Sequence, residues 1–432
     1  MKKSNLIVLL AAAVFTVSCS KGSGGGGSNT PVTPVTPTIP IIPTTPTNPT
    51  TSADGDVVGK VVVGYQGWFS AKGDGSPSNS WNHQNLEMWP DTREYTKTYS
   101  GSPFQQNGGV TQPPFTGNMG NGQPAVVFSS YDQSTVSTHF LWMQQNGIDC
   151  AAVQRFGSEL KSTTLKAQRD GIAERVRIAA EATGRKFYIM YDISGWTSFQ
   201  TDIKTDWTSY MKALTSSPAY AVQNGKPVVC VWGPGFANRP GDVFSWTDVL
   251  SWFKTQGCYV IVGAPSDFAT KIAYQGAYNT ANMIMPWMVG SNNNLSYYQG
   301  LDQTNINYCN ARGIDYQANV FPGFAFFNSD PTKPKNEVPR MHGDFMWAQF
   351  AAAKNAAVKS IYISMFDELN EGTAIMKVAE DASMAPAGQY FLNLDADGTH
   401  VSADFYLRLV NNGQKMIKGT ISYTATNPTS FQ

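Results

Sequence analysis

Three carboxylates, Asp367, Glu368 and Glu371, follow directly on the apolar run Ser360, Ile361, Tyr362, Ile363, Ser364, Met365, Phe366. Acids crowded where a strand emerges cannot all ionise cheaply, so at least one holds its proton to higher pH, which is what general acid catalysis at neutral pH requires. Glu368 and Glu371, spaced Glu-x-x-Glu, are the candidate catalytic pair. The same residues have a plainer reading: carboxylates after a strand often cap the next helix, where they meet exposed N–H groups and the positive end of the dipole. A bare Glu-x-x-Glu fixes neither a partner nor a metal. Its setting therefore decides between the two.

The elements that must position the pair are legible as eight short apolar runs, at 61–65, 149–155, 187–192, 227–232, 259–263, 283–287, 319–324 and 360–366. Most are separated by helical periodicity: around Phe140, Leu141 and Gln144, over 165–183 with Gly184 as a C-cap, from a predicted N-cap at Asp206 to Leu214, and over 245–254, 295–313, 344–359 and 403–418. Strand and helix alternating eight times predict an α/β fold, the (β/α)8 TIM barrel, because each right-handed crossover returns the chain to the same sheet. All strands then end on one face, where this fold builds its sites. The residues at those ends are Tyr65 with Trp68, Arg155, Tyr191 with Asp192, Trp232, Trp287, Phe324 and the Glu368/Glu371 pair, with Asp367 and Asn370 beside it. Trp and Tyr there offer flat platforms for sugar C–H faces, and Asp, Arg and Asn bond hydroxyls. Any one of these aromatics has an alternative place in the barrel core. The long polar loop 70–123, with Trp81 and His83, is expected to form a wall of the cleft. For His83 a hydrogen-bonded structural role is the competing expectation.

Composition narrows the partners. Lys+Arg and Asp+Glu balance at 31 each, and charged residues make up 14% of the chain against about 25% in an average domain. Such a surface lacks the basic field that attracts phosphate backbones, which argues against nucleic acid. Aromatics at 12%, with 11 Trp, favour neutral polar ligands that stack on rings. No metal or cofactor is expected. Asp395-Ala-Asp-Gly398 starts like a calcium loop but puts Tyr406 where a bidentate Glu belongs, and the four histidines form no H-E-x-x-H helix. There is no G-x-S-x-G elbow and no C-x-x-C. Of Cys150, Cys230, Cys258 and Cys309, three fall in or beside predicted strands as small hydrophobes, and any pairing among the four stays open.

The N-terminus predicts delivery to a membrane surface. Lys2 and Lys3 precede an apolar run over 6–17, too short to span a bilayer but right for a signal peptide ending at Cys19, as in a bacterial lipobox. Ordinary signal-peptidase cleavage is the alternative. A Gly/Ser then Pro/Thr-rich linker over 20–53 is too poor in apolar residues to fold and serves as a spacer. The working domain is 54–432, expected as a monomer tethered through a Cys19 lipid at the outer membrane or cell surface, or else periplasmic.

The stretch Phe366-Asp-Glu-Leu-Asn-Glu-Gly-Thr-Ala-Ile375 resembles the end of the last barrel strand in the glycoside hydrolase family 71/99-like group, approximately Phe-Asn-Glu-Trp-His-Glu-Gly-Thr. Gly64-Tyr-Gln-Gly-Trp68, Trp81-Asn-His83, Gly147-Ile-Asp149 and Phe321-Pro-Gly-Phe324 fall in matching order, so the resemblance spans about 58–409. It implies a retaining, endo-acting α-mannosidase or mannanase that needs no metal. Glu371 would match the acid/base, and Glu368 the carboxylate that deprotonates the sugar's own 2-hydroxyl. Asp367, Leu369 and Asn370 depart from the family's Asn, Trp and His, and Asp192 stands where the family has a substrate-binding Glu. The expectation is therefore a glycosidase with the sugar left open, mannan-like or α-glucan polymers first. A non-catalytic, glycan-binding surface lipoprotein on the same barrel is the alternative.

Overall fold

The computed structural model describes residues 52–83, 85–100, 103–105, 111–114, 117–290 and 295–432. The expected signal segment, Cys19 and nearly all of the expected linker lie outside the described residues. Eight parallel strands close on themselves: β1 (Val61–Tyr65), β2 (Cys150–Phe156), β3 (Lys186–Asp192), β4 (Lys226–Trp232), β5 (Tyr259–Pro265), β6 (Met283–Trp287), β7 (Asp315–Val320) and β8 (Ser360–Ile363). Each pairs with the next, and β1 pairs with β8 in the register Val61↔Ile361, Val62↔Tyr362, Val63↔Ile363, which completes the expected (β/α)8 barrel. The strands are apolar on both faces because the lumen is packed and the outer face is covered by helices.

Those helices are α1 (Gln133–Gln145), α2 (Thr163–Thr183), α3 (Phe199–Ser209), α4 (Val243–Thr255), a single turn α5 (Gln275–Tyr278), α6 (Leu295–Asn310), α7 (Asp344–Asn355) and α8 (Phe405–Ile417). Their ends follow local chemistry. Ser162 Oγ accepts from the Leu165 N–H to start α2, and Gly184 at φ 64° ends it. Asp242 and Ser245 form a reciprocal capping box on α4. Among the described residues no helix is long and apolar enough to cross a membrane. Cys150, Cys230, Cys258 and Cys309 are buried free thiols.

Two expectations are corrected. The seventh strand runs Asp315–Val320 rather than 319–324, so Phe324 is not a strand end; it sits in the following loop, bridged to Val338. Polar Asp315 and Gln317 hid the start of this strand from an apolar search, although both are buried. Asp206 is no N-cap but lies in the last turn of α3, held by the buried Arg155 guanidinium. An unpaired cation there would cost more than a lost cap, so the ion pair sets where the helix lies.

Candidate active site

Beyond Ile363 the chain turns back on itself instead of continuing the sheet. Met365 N–H donates to Thr373 O (3.2 Å) and Met376 N–H to Phe366 O (2.9 Å), closing a tight loop that carries both glutamates. Gly372, at φ 62°, permits the reversal that an L side chain would strain. The loop is fixed from several sides. Asp367 accepts from the backbone N–H groups of Gln66 (2.7 Å) and Gly67 (2.9 Å), tying it to the loop after β1. Leu369 O accepts from Glu87 N–H (2.9 Å), which lays the long first loop along it as a wall. Buried Arg340 donates to the carbonyls of Gly372 (2.8 Å) and Ala374 (2.7 Å).

Glu368 is 2% exposed; its Oε2 accepts from Gln66 Nε2 (2.5 Å) and its Oε1 from the Asn370 N–H (3.0 Å). Burial, then the neighbouring Glu371 and Asp367 charges, push its carboxyl well above the ordinary range, against the pull of those two donors. Glu371 is half-buried. Burial pushes its carboxyl up to about 7, with Asp192 adding to the rise and the Arg239 guanidinium opposing it. Asp367 is also lifted to about 7 by burial. A second negative charge on the Glu pair is therefore costly, and near neutral pH the pair favours one proton between two carboxyls. That is the state in which one acid donates and its neighbour accepts.

Strand alternation decides which strand-end residues reach this place. Asp192, Trp232 and Trp287 stand on the lumen side. The Trp232 and Trp287 rings meet edge to face at 5.5 Å, and Trp287 lies 6.5 Å from the lumen ring of Tyr362. Asp192 accepts from Ser194 N–H, and burial raises its carboxyl while the Arg239 charge opposes. Tyr65, Arg155 and Tyr191 point the other way, into the helices, and are corrected as substrate contacts. Tyr65 OH pairs with His139 of α1 (3.0 Å). Arg155 bonds Asp206 twice (2.6 Å each) and Asp170 (2.7 Å) and is 2% exposed, while Tyr191 OH donates to the same Asp206 (2.8 Å). Asp367 is corrected too, being fully buried and spent on backbone N–H groups.

Trp68 stacks on His83 (3.9 Å) and on Phe156 (4.9 Å), so its ring is spent within the protein and not presented as an open platform. His83 Nε2 also lies 3.4 Å from Glu159, which Arg169 grips through two hydrogen bonds; burial lowers the imidazole's affinity for a proton. Half-buried Trp81 packs on the core nearby. Asn370 is largely buried and donates to Asn85 Oδ1. Phe324 stacks with Phe326 at 6.3 Å on the loop after β7.

Sequence reasoning missed four residues that shape the site. Gln66 orients Glu368, and its signal was two-residue alternation after Gly64, which returns it to the lumen side. Arg239, in the Gly/Pro-rich loop after β4, holds its guanidinium 4.9 Å from the Trp232 ring centre and is the cation whose field reaches Glu371 and Asp192. Phe156 ends β2 under Trp68. Arg340 is remote in sequence from the loop it braces and left no local signal. Among the described residues no group of three or more His, Cys, Asp or Glu side chains is placed to hold a metal ion.

No protein-family model matches the chain, and no curated protein matches it. Among solved structures it is similar to the GH99 endo-alpha-mannosidase from Bacteroides thetaiotaomicron, at a TM-score of 0.59 and 14% identity over 84% of this chain and 98% of that one. The same enzyme in complex with BIS-TRIS-propane gives the same values. A glycoside hydrolase-like protein follows at a TM-score of 0.53 and 13% identity, covering 85% of this chain and 97% of that one. The chain thus has a TIM-barrel fold like that of glycoside hydrolases.

Proposed function

We propose that the protein is a glycoside hydrolase in which Glu371 is the acid/base and Glu368 the partner carboxylate, acting in a retaining, endo manner on an α-mannan-like glycan. What supports this reading is that the two carboxyls are both desolvated and Glu368 feels the charge of Glu371, with Glu371 half-buried and lifted to about 7 and Glu368 buried and held by Gln66. A structural cap would be ionised and bonded to a helix terminus, whereas these two face each other's field. In the proposed reaction Glu371 gives its proton to the leaving glycosidic oxygen. Glu368 takes the proton of the sugar's 2-hydroxyl, whose oxygen attacks C1 to form a 1,2-anhydro sugar. Water then opens that ring at C1, with Glu371 accepting its proton and Glu368 returning one to O2, so configuration is retained. Desolvation strengthens Glu368 as a base, and the Gln66 and Asn370 donors hold it in one orientation.

Trp287 and Asp192 are the proposed sugar contacts, with Trp232, packed against Phe236 (4.7 Å), backing the Trp287 ring. The Cys19 lipid and the linker complete the proposal by holding the barrel at a bacterial surface. Incubating α-mannan, α-glucan and arabinoxylan with wild type and Glu371→Gln and measuring released reducing ends tests the assignment. Release by wild type and its loss in the variant support it; release unchanged in the variant removes Glu371 from the chemistry, and binding of glycan without release leaves only a glycan-binding barrel.

A further inference from the structure

Glu87, in the long loop after β1, is a fully buried carboxyl that the proposed chemistry does not use. Its main chain lies on the glutamate loop: the N–H groups of Glu87 (2.9 Å) and Met88 (3.2 Å) both donate to Leu369 O, one residue beyond Glu368. Its side chain reaches elsewhere. The carboxyl accepts from the Asn328 N–H, and the Ser329 N–H is also directed at it, both on the connection that follows β7. That connection carries Ala325, whose N–H donates to Glu371 O (3.0 Å). A closed ring results, running from Glu87 through Leu369 to Glu371, across to Ala325, along the chain to Asn328, and back to the Glu87 carboxyl. The stretch from Leu369 to Glu371 is held at both ends, and the Glu87 side chain joins the two holds.

Neighbouring bonds reinforce the ring. Asn328 Nδ2 donates to Leu86 O (2.8 Å) and Tyr390 O (3.0 Å), Asn85 Nδ2 to Ser329 Oγ (2.7 Å), and the Leu392 N–H to Glu87 O (2.7 Å), so the connections after β1, β7 and β8 meet at this residue. Asn328 and Ser329 are themselves buried, and without an acceptor their N–H groups would be stranded away from water. Reach, not charge, is what the position demands. Among the described residues no cation pairs with the carboxyl: buried Arg340 meets Met88 Sδ instead (3.0 Å), and the ionisable neighbour is Tyr390, whose phenol is pushed up by burial and then by Glu87. Burial pushes Glu87 itself up to about 8, so near neutral pH it serves mostly as a neutral acceptor.

We infer that Glu87 is a positioning residue for Glu371: by accepting from the Asn328 N–H it closes the ring that sets where Glu371 stands relative to Glu368. Its effect on rate rests on the hydrolase reading above; its effect on the Glu371 carboxyl does not. With the ring open, water reaches the glutamate loop and Glu371 loses part of the desolvation that lifts it.

Two variants of the full chain separate reach from charge. Glu87→Gln keeps the length and an acceptor oxygen, whereas Glu87→Asp keeps a carboxyl that stops one methylene short of the Asn328 N–H. Carbon-13 NMR of labelled glutamate carboxyls, with Glu371 identified by the signal lost in Glu371→Gln, follows its titration. The midpoint stays at the wild-type value in Glu87→Gln and falls by about one pH unit, toward 4.5, in Glu87→Asp. On the polysaccharide that wild type cleaves among α-mannan, α-glucan and arabinoxylan, Glu87→Asp lowers kcat roughly tenfold with little change in KM, and Glu87→Gln restores it to within about threefold. A residue that only held the fold would lower the urea midpoint and leave the Glu371 titration and the kcat of the folded protein alone. Asn328→Ala keeps the backbone N–H but drops the bonds to Leu86 and Tyr390; it moves the titration the same way by less, and covers the case in which Glu87→Asp does not fold. A wild-type titration in folded Glu87→Asp overturns the inference, as does one in Asn328→Ala where the Asp variant does not fold, or an equal loss in Glu87→Gln. Absence of reducing ends from wild type on all three polysaccharides sinks the hydrolase reading alone, and the titration then decides the role of Glu87.

Discussion

Replacing Glu371 by Gln tests both the chemistry and the cost of building it. Burial lifts this carboxyl from the usual 4.5 to about 7, which at ~1.4 kcal/mol per pH unit is a preference of about 3 kcal/mol for the neutral form. Gln keeps the size and neutrality of the protonated acid but has no proton to give. On a glycan, whose leaving oxygen needs protonation, kcat/KM is expected to fall by roughly 10²- to 10⁴-fold, or about 3 to 5 kcal/mol. On an activated aryl glycoside the loss is smaller, because the leaving group departs without help. Wild-type activity declines about tenfold per pH unit above the pKa of the acid, so the alkaline limb begins near 7 and is absent from the variant's residual rate. Stability moves the opposite way. The folded carboxyl holds its proton longer than the unfolded one, so its stabilising contribution is complete below 4.5 and is lost as pH rises to about 7. Glu371→Gln escapes that loss: by urea titration it should match wild type at pH 4 and exceed it at pH 8 by up to about 3 kcal/mol. An unchanged alkaline limb in the variant, or a stability difference that does not grow with pH, refutes the desolvated-acid reasoning.

Arg239→Met removes the positive field that opposes the rise at Glu371, so the alkaline limb of kcat/KM should move to higher pH; a limb that stays put or moves down counts against this role for Arg239. Glu87 is fully buried, with its carboxyl pushed up to about 8 by burial, and its main chain bonds Leu369 and Leu392. It contributes fully below 4.5 and loses that contribution as pH rises to about 8, so Glu87→Gln should flatten the fall of Tm across that window, as scanning calorimetry would record. Asp206→Asn weakens the main partner of the buried Arg155 and should cost about 3 to 5 kcal/mol in urea unfolding, with KM for any cleaved glycan unchanged; a raised KM at intact stability would return Arg155 to the substrate.

The long apolar β-runs and their spacing to the helices determined the barrel, because in a parallel sheet covered on both faces nearly every strand residue is buried and the pattern is strong. The same logic located the last strand and placed Glu368 and Glu371 at its end from local sequence alone. What the sequence left undecided is which way each strand-end side chain points. Moving one residue along a strand exchanges lumen for helix face, which sent Trp232 and Asp192 to the mouth but Tyr65, Arg155 and Tyr191 behind it. The β7 strand was displaced for a related reason: the barrel buries polar Asp315 and Gln317, so apolarity alone misjudged its start. Only the tertiary structure decided that Asp206 answers Arg155, that Trp68 is spent on His83 and Phe156, and that Gln66, Arg239 and Arg340 surround the glutamate loop. These are contacts between segments far apart in the chain, set by burial that forces charges and amides to find partners, and local sequence holds no record of which partner each will find.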